Sequence, residues 1–288
     1  MRYTEFELSS HDETPLFVRR YQPEHDVTRT VLVIHGASEH GQRYDHVARA
    51  LVSRDWNVVV GDLRGQGLSG GETMHVTDFK QYVDDVEVIR RHFELQPRRT
   101  AILAHSMGGL IAIRAMQTST EIASALVLSS PLLALDLAIP PIMLAMGRLA
   151  SYVAPRARFS SQRGRGFGTR NLIVRARRDA DPLYRDSVTA GWFFAMKSAM
   201  RDAFSQADRL DVPLLLLQAG EDQVVDGSAA KPWLASVGSK DKTYRLFPEH
   251  FHELLNELDW HDIVGLIGDW LEKRVSSPAT APANTVAV

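Results

Sequence analysis

The chain has 288 residues, which allows either two domains of about 150 residues or one large α/β domain. Hydrophobic residues make up 44% and charged residues 24%, an ordinary globular balance that excludes collagen, coiled coil and disorder. The formal charge of −2 argues against a nucleic-acid partner, and the lack of cysteine removes disulfides, thiolate nucleophiles and cysteine-held metal centres while fitting a reducing compartment.

Residues 1–10 alternate polar and apolar and carry Glu5 and Glu7, unlike a secretory leader. The longest uncharged apolar stretch, residues 122–135, contains Pro131 and falls short of the about 20 residues that a membrane span needs. A cytoplasmic protein is expected, with contact at a membrane surface left open. Residues 3–8 and 16–21 predict two strands around a turn at 11–15. A strand–helix rhythm then begins. Thr30–Ile34 is a β-branched run, and residues 45–54 predict a helix with Val47 and Leu51 on one face. Asn57–Gly61 is a second buried-type run. Residues 78–93 form an amphipathic helix, with Phe79, Tyr82, Val83, Val86, Ile89 and Phe93 in phase and Thr77 as its N-cap.

Residues 100–104 predict a strand, 108–117 a helix and 123–128 a strand. After an interruption come strands at 212–218 and Lys242–Phe247, then a helix at 262–271. This alternation predicts an α/β fold: a mostly parallel central sheet with helices on both faces. Residues 1–130 and 210–275 are read as the core. Residues 131–209 lack strand punctuation and read as an insertion of helices and irregular chain. Residues 276–288 read as a disordered tail.

In an open parallel sheet, ligands bind beyond the carboxyl ends of the strands. After the first parallel strand comes His35-Gly36-Ala37-Ser38-Glu39-His40, and after the second Asp62-Leu63-Arg64-Gly65-Gln66-Gly67-Leu68-Ser69. The third ends in Ala104-His105-Ser106-Met107-Gly108-Gly109 and opens directly into a helix. The last two strands are followed by Gly220-Glu221-Asp222 and Pro248-Glu249-His250-Phe251-His252. Serine, aspartate and histidine, each at a strand end, follow the chain order of the α/β-hydrolase triad.

A serine hydroxyl is a poor nucleophile at its free pKa and needs a base that is itself oriented by a carboxylate. Ser106 is therefore expected as nucleophile, His252 as base and Asp222 as the orienting acid. Asp226 and His250 are the local alternatives; Asp226 reads better as a helix cap and His250 as an ordinary loop histidine. Gly108 suits the sharp strand-to-helix turn, and Ala104 departs from the usual glycine two residues before the serine. The backbone amides of Met107 and Ala37 are expected to form the oxyanion hole. His35, Asp62 with Arg64, Gly65 and Gly67, and His105 read as structural supports.

On these segments the chain resembles the monoacylglycerol lipase and lysophospholipase branch of the serine α/β-hydrolases. The resemblance covers residues 3–132 and 210–271 and is weak between them. Its most specific motif is His35-Gly36-Ala37-Ser38-Glu39-His40-Gly41-Gln42-Arg43-Tyr44, with support from residues 62–69, 104–109, 218–226 and 247–253. It implies hydrolysis of a single acyl ester without metal or cofactor, with Ser106, Asp222 and His252 as the triad and Ala37 and Met107 as oxyanion donors. Ser38 stands where the family usually has glycine. Glu39 and Arg43 match its head-group positions, although the two can also pair with each other. Leu255 occupies the position where members often place a second, glycerol-holding histidine, and is assigned to the same substrate-facing place.

The insertion sits where this fold carries its helical cap. Its first helix, residues 142–153, is apolar over much of its surface, as a core helix or a lid lining an acyl tunnel would be. Arginines 148, 156, 158, 163, 165, 170, 175, 177 and 178 follow without an intervening lysine or acid. They suit either a face paired with acids elsewhere or transient contact with an anionic lipid surface. The expected activity is serine ester hydrolysis, most naturally of monoacylglycerols. The rivals are a lysophospholipase, a short-chain carboxylesterase, a proline-type aminopeptidase, or a ligand-binding protein of the same fold without turnover. Dehalogenases and epoxide hydrolases need aspartate where this chain has Ser106.

Overall fold

The computed structural model describes residues 1–119, 122–135, 139–160, 168–185 and 187–275. The predicted tail, Arg163 and Arg165 lie outside the described residues. The strands are β1 (Arg2–Ser9), β2 (Pro15–Gln22), β3 (Thr30–Ile34), β4 (Asn57–Gly61), β5 (Thr100–His105), β6 (Ala125–Ser129), β7 (Arg158–Ser160), β8 (Ser187–Thr189), β9 (Leu214–Ala219) and β10 (Lys242–Phe247). The helices are α1 (Asp45–Val52), α2 (Lys80–His92), α3 (Met107–Thr118), α4 (Pro141–Val153), α5 (Leu172–Asp179), α6 (Ala190–Ser205), α7 (Ala230–Ser236) and α8 (Trp260–Glu272).

Eight strands form one sheet in the order β1-β2-β4-β3-β5-β6-β9-β10. β1 pairs antiparallel with β2, and β2 with β4; every other neighbour is parallel. The inner parallel strands are buried throughout because helices cover both faces. Side chains alternate between two apolar layers. Leu32, Ile34, Val59, Ile102, Leu126 and Leu216 pack with α2, α3, α6 and α7. Val31, Val33, Val58, Leu103, Val127 and Leu217 pack with α1 and α8.

Two local expectations are corrected, and one open choice is narrowed. Thr77 is not the N-cap of α2: Phe79 holds that position without a side-chain cap bond, Asp78 Oδ1 accepts from the Lys80 amide at 2.8 Å, and the Thr77 and Asp78 amides donate to Gln81 Oε1. The stretch between β6 and β9 does contain strands, since β7 and β8 pair antiparallel; three residues each is too short for a periodic signal. α4 is not a core helix, for none of its residues is buried and Ile142, Met143, Met146, Leu149 and Val153 are each at least 60% exposed. α7 is the helix implied by reading Asp226 as a cap, and Asp226 caps the 3-10 turn Gly227–Ala229 that leads into it. Among the described residues, no helix is long and apolar enough to cross a membrane.

Candidate active site

β5 ends at His105 and α3 begins at Met107, so Ser106 must reverse the chain alone. It does so at φ 52°, ψ −119°, a strained conformation costing about 1–3 kcal/mol that surrounding contacts must hold. The Ser106 amide donates to Ser129 O at 3.0 Å, and its carbonyl accepts from the Leu132 amide at 2.9 Å. The turn also brings α3 hard against the end of β3. A Cβ at Gly108 would stand 2.3 Å from Ile34 O and 2.4 Å from His35 O. Gly108→Ala is therefore expected to force α3 off the sheet and cost about 2 kcal/mol of stability by denaturant unfolding, with activity falling as the Met107 amide moves.

His252 follows β10 and is buried with Ser106. Its Nε2 lies 2.8 Å from Ser106 Oγ, and its Nδ1 lies 2.8 Å from Asp222 Oδ2. The carboxylate accepts from Nδ1–H, which leaves Nε2 free to accept the serine proton. Asp222 is itself fixed, because Oδ1 accepts from the Val224 and Val225 amides at 2.8 and 3.0 Å. Burial pushes its carboxyl up, but the neighbouring His252 and the two amides outweigh this, and its pKa lies below the usual carboxylate value. The alternatives are engaged elsewhere: Asp226 Oδ1 accepts from the Ser228 amide at 2.9 Å, and His250 Nε2 meets Asp259 at 2.8 Å.

The Ala37 and Met107 amides donate to no acceptor among the described residues. Met107 opens α3, so its amide is one of the unpaired donors at a helix N-terminus, where developing negative charge is favoured. Ala37 lies in the loop after β3, with Ser38 at φ 66°, a left-handed position that glycine fills without strain. The supports behave as the sequence reading has them. His35 Nε2 accepts from the Leu63 amide at 2.9 Å while Nδ1 faces Gly36 O at 2.8 Å, joining the loops after β3 and β4. Asp62 accepts from the amides of Gly41 and Leu68 and from Arg19. Burial, then the neighbouring His252, pushes the His105 pKa down to about 4, so the ring beside His252 is neutral at pH 7.

Of the three substrate-facing assignments, Leu255 needs correction, and Glu39 and Arg43 make the mutual pair that the sequence reading left open. Glu39 and Arg43 are buried, and Arg43 Nε donates to Glu39 Oε2 at 3.0 Å. Glu39 Oε1 also accepts from Gly36 N at 2.5 Å and from Tyr44 OH at 2.7 Å. Leu255 packs into the apolar layer under α1 and α8, because the 3-10 turn Leu254–Asn256 carries it to the opposite side of the sheet from α3. The sequence reading missed Glu253, which pairs with Arg43 and whose position next to His252 was the available signal.

The insertion lies over these loops. His40 Nε2 meets Asp181 Oδ2 at 2.7 Å, and Arg185 N donates to Ser38 O at 3.4 Å. Four arginines of the charge block reach acids: Arg156 and Arg158 meet Glu72, Arg170 meets Glu257, and Arg178 meets Asp179 and Glu253. Between the insertion and the loop after β6 is a cavity of about 690 Å³. Leu133, Leu135, Leu144, Phe193, Met200 and Phe204 give it apolar walls, with Lys197 and Arg201 beside them. Ser106 does not line it; the wall begins one residue past Leu132, whose amide touches the Ser106 carbonyl.

The family profile described as serine aminopeptidase, S33, matches residues 25–259. Phospholipase YtpA of Bacillus subtilis (strain 168) is 32% identical over 238 residues, covering 81% of this chain and 91% of that protein. The monoglyceride lipase of Mus musculus is 29% identical over 282 residues, covering 94% and 91%. Among solved structures, the monoacylglycerol lipase of Paleococcus ferrophilus superposes with a TM-score of 0.80 at 24% identity, covering 94% of this chain and 98% of that one.

Proposed function

The chain belongs to the serine aminopeptidase S33 family of α/β-hydrolases, and from that premise we propose that it hydrolyses carboxylic esters of single acyl chains, monoacylglycerols foremost. The observation that carries this reading is the pair of 2.8 Å contacts running from Ser106 Oγ through His252 to Asp222, with two amides that meet no acceptor among the described residues. His252 Nε2 takes the Ser106 proton as Oγ attacks the ester carbonyl, and the amides of Ala37 and Met107 bind the oxyanion. Each such donor is worth about 3–4 kcal/mol in the transition state. The imidazolium returns the proton to the departing alcohol, leaving an acyl-serine. Water, deprotonated by the same nitrogen, attacks that ester, releases the carboxylic acid and restores Ser106.

Residues 131–209 act in this reading as a cap, and the 690 Å³ cavity receives the acyl chain. Its size falls within the range of about 300–1,000 Å³ for small-molecule sites. The similarity to mouse monoglyceride lipase and to phospholipase YtpA supports an acyl ester over a peptide. A panel of monoacylglycerols of graded chain length, lysophospholipids, p-nitrophenyl esters and aminoacyl amides tests it. The highest kcat/KM is expected on a monoacylglycerol; preference for aminoacyl amides would overturn the reading. Labelling of Ser106 by a fluorophosphonate is expected, and its absence would favour a binding protein without turnover.

A phospholipid-type substrate is the second reading, favoured by the similarity to YtpA. The exposed apolar residues of α4 and Arg148 on the same helix, which makes no ion pair among the described residues, would meet an anionic bilayer. Stronger binding to anionic than to zwitterionic vesicles at low salt is expected, and equal binding would end the membrane-surface proposal.

A further inference from the structure

Between the oxyanion loop and the base runs a buried ionic chain that the reaction as written does not use. It begins one residue before Ala37, where the Gly36 amide donates to Glu39 Oε1 at 2.5 Å. Glu39 Oε2 holds Arg43 Nε at 3.0 Å, and Arg43 Nη2 donates to Glu253 Oε2. Glu253 is the residue after His252. The chain thus starts one residue from a proposed oxyanion donor and ends one residue from the proposed base.

The insertion completes it. Arg178 of α5 places Nη1 3.7 Å from Glu253 Oε1, while the Glu253 amide donates to Gly168 O at 2.7 Å. A Cβ at Gly168 would stand 2.0 Å from Glu253 Oε1, so a glycine there is what admits the carboxylate. The side chains of Glu39, Arg43, Glu253 and Arg178 are only 6%, 9%, 11% and 6% exposed. Removing one partner from such a buried set leaves charge without solvent to screen it.

We propose that Arg178 is a positioning residue, which seats the insertion on the Glu39–Arg43–Glu253 chain and thereby sets both the register of oxyanion loop against base and the charge beside His252. The proposal rests on Ser106 and His252 being nucleophile and base. His252 is faced by Asp222 from the loop after β9 and by the His105 ring, centroid to centroid 4.6 Å away at the end of β5. Glu39 and Arg43 face the site from the loop before α1, with Glu253 on the base loop itself. From the insertion come Arg178, Asp179 and Tyr184, whose ring lies 5.7 Å from the Arg178 guanidinium. The His105 ring is neutral at pH 7 and adds no charge to this set.

The sign follows from the charges. Losing Arg178 leaves excess carboxylate near His252, which favours the imidazolium, so the acid limb of kcat/KM moves to higher pH. Losing the Glu253 carboxylate does the reverse. Arg178→Met is expected to raise that limb and Glu253→Gln to lower it, each by about 0.3 unit or more. The double variant should return towards the parent. Arg178→Met should also lower kcat about tenfold with KM on a short p-nitrophenyl ester changed less than about threefold, because position rather than binding is lost. Arg178→Lys should restore the limb. If Arg178→Met fails to fold, Glu253→Gln must still lower the limb. Limbs that stay put, or move in the same direction in both single variants, overturn the proposal. A parent protein that fails to label with fluorophosphonate overturns the premise instead, which keeps the two failures apart.

Discussion

Ser106→Ala is expected to reduce turnover of p-nitrophenyl acyl esters by about a millionfold, since the loss of a serine nucleophile costs about as much as the loss of a whole triad. The fold should survive. Alanine meets the same backbone cost at φ 52° as serine does, and the two backbone hydrogen bonds that hold the turn, to Ser129 and Leu132, do not involve the hydroxyl. The thermal midpoint should stay within a few degrees of the parent, corresponding to well under about 1 kcal/mol. Fluorophosphonate labelling should vanish in the same variant. Undiminished turnover would remove Ser106 from the mechanism.

Asp222→Asn is expected to lower kcat by about 10,000-fold, through the tautomer of the base rather than through lost packing. Asp222 Oδ1 is committed as an acceptor by two amides, from Val224 and Val225. An asparagine must therefore keep its oxygen there and turn its NH2 group towards His252. Facing a donor, Nδ1 gives up its proton, and the proton moves to Nε2, the atom that has to receive it from Ser106 Oγ across 2.8 Å. Substrate binding is left alone, so KM should change little. Turnover should recover at high pH only to the extent that hydroxide replaces the imidazole. A variant retaining more than about a tenth of the parent kcat would show that His252 is oriented by something other than Asp222.

The inner strands were readable because a strand buried on both faces needs only a short run of apolar and β-branched residues. Thr30–Ile34 and Asn57–Gly61 keep their predicted limits in the structure, as does Lys242–Phe247, an edge strand without a buried residue. Strand ends also announce themselves, since the residues that leave a parallel sheet at its carboxyl edge are where polar side chains collect. Ser106, Asp222 and His252 could be singled out for that reason, and the structure places Ser106 and Asp222 each 2.8 Å from the His252 ring. Elsewhere, position along the chain says nothing about direction. Leu255 stands three residues beyond His252, yet a 3-10 turn sends its side chain into the other apolar layer.

Long-range charge pairing was equally out of reach. Glu39 and Arg43 sit four residues apart and could be matched locally, but the partner that completes the chain, Glu253, is 210 positions away from Arg43. Pairing of the basic run with acids elsewhere was one reading of the sequence, but that Arg156, Arg158, Arg170 and Arg178 meet Glu72, Glu257 and Glu253 was not legible there. Hydrophobic period and the order of strand-end residues are local properties, carried by the spacing of side chains along one element. Which carboxylate neutralises which guanidinium, and which face of a short turn is buried, depend on distances in space that only the packed chain decides.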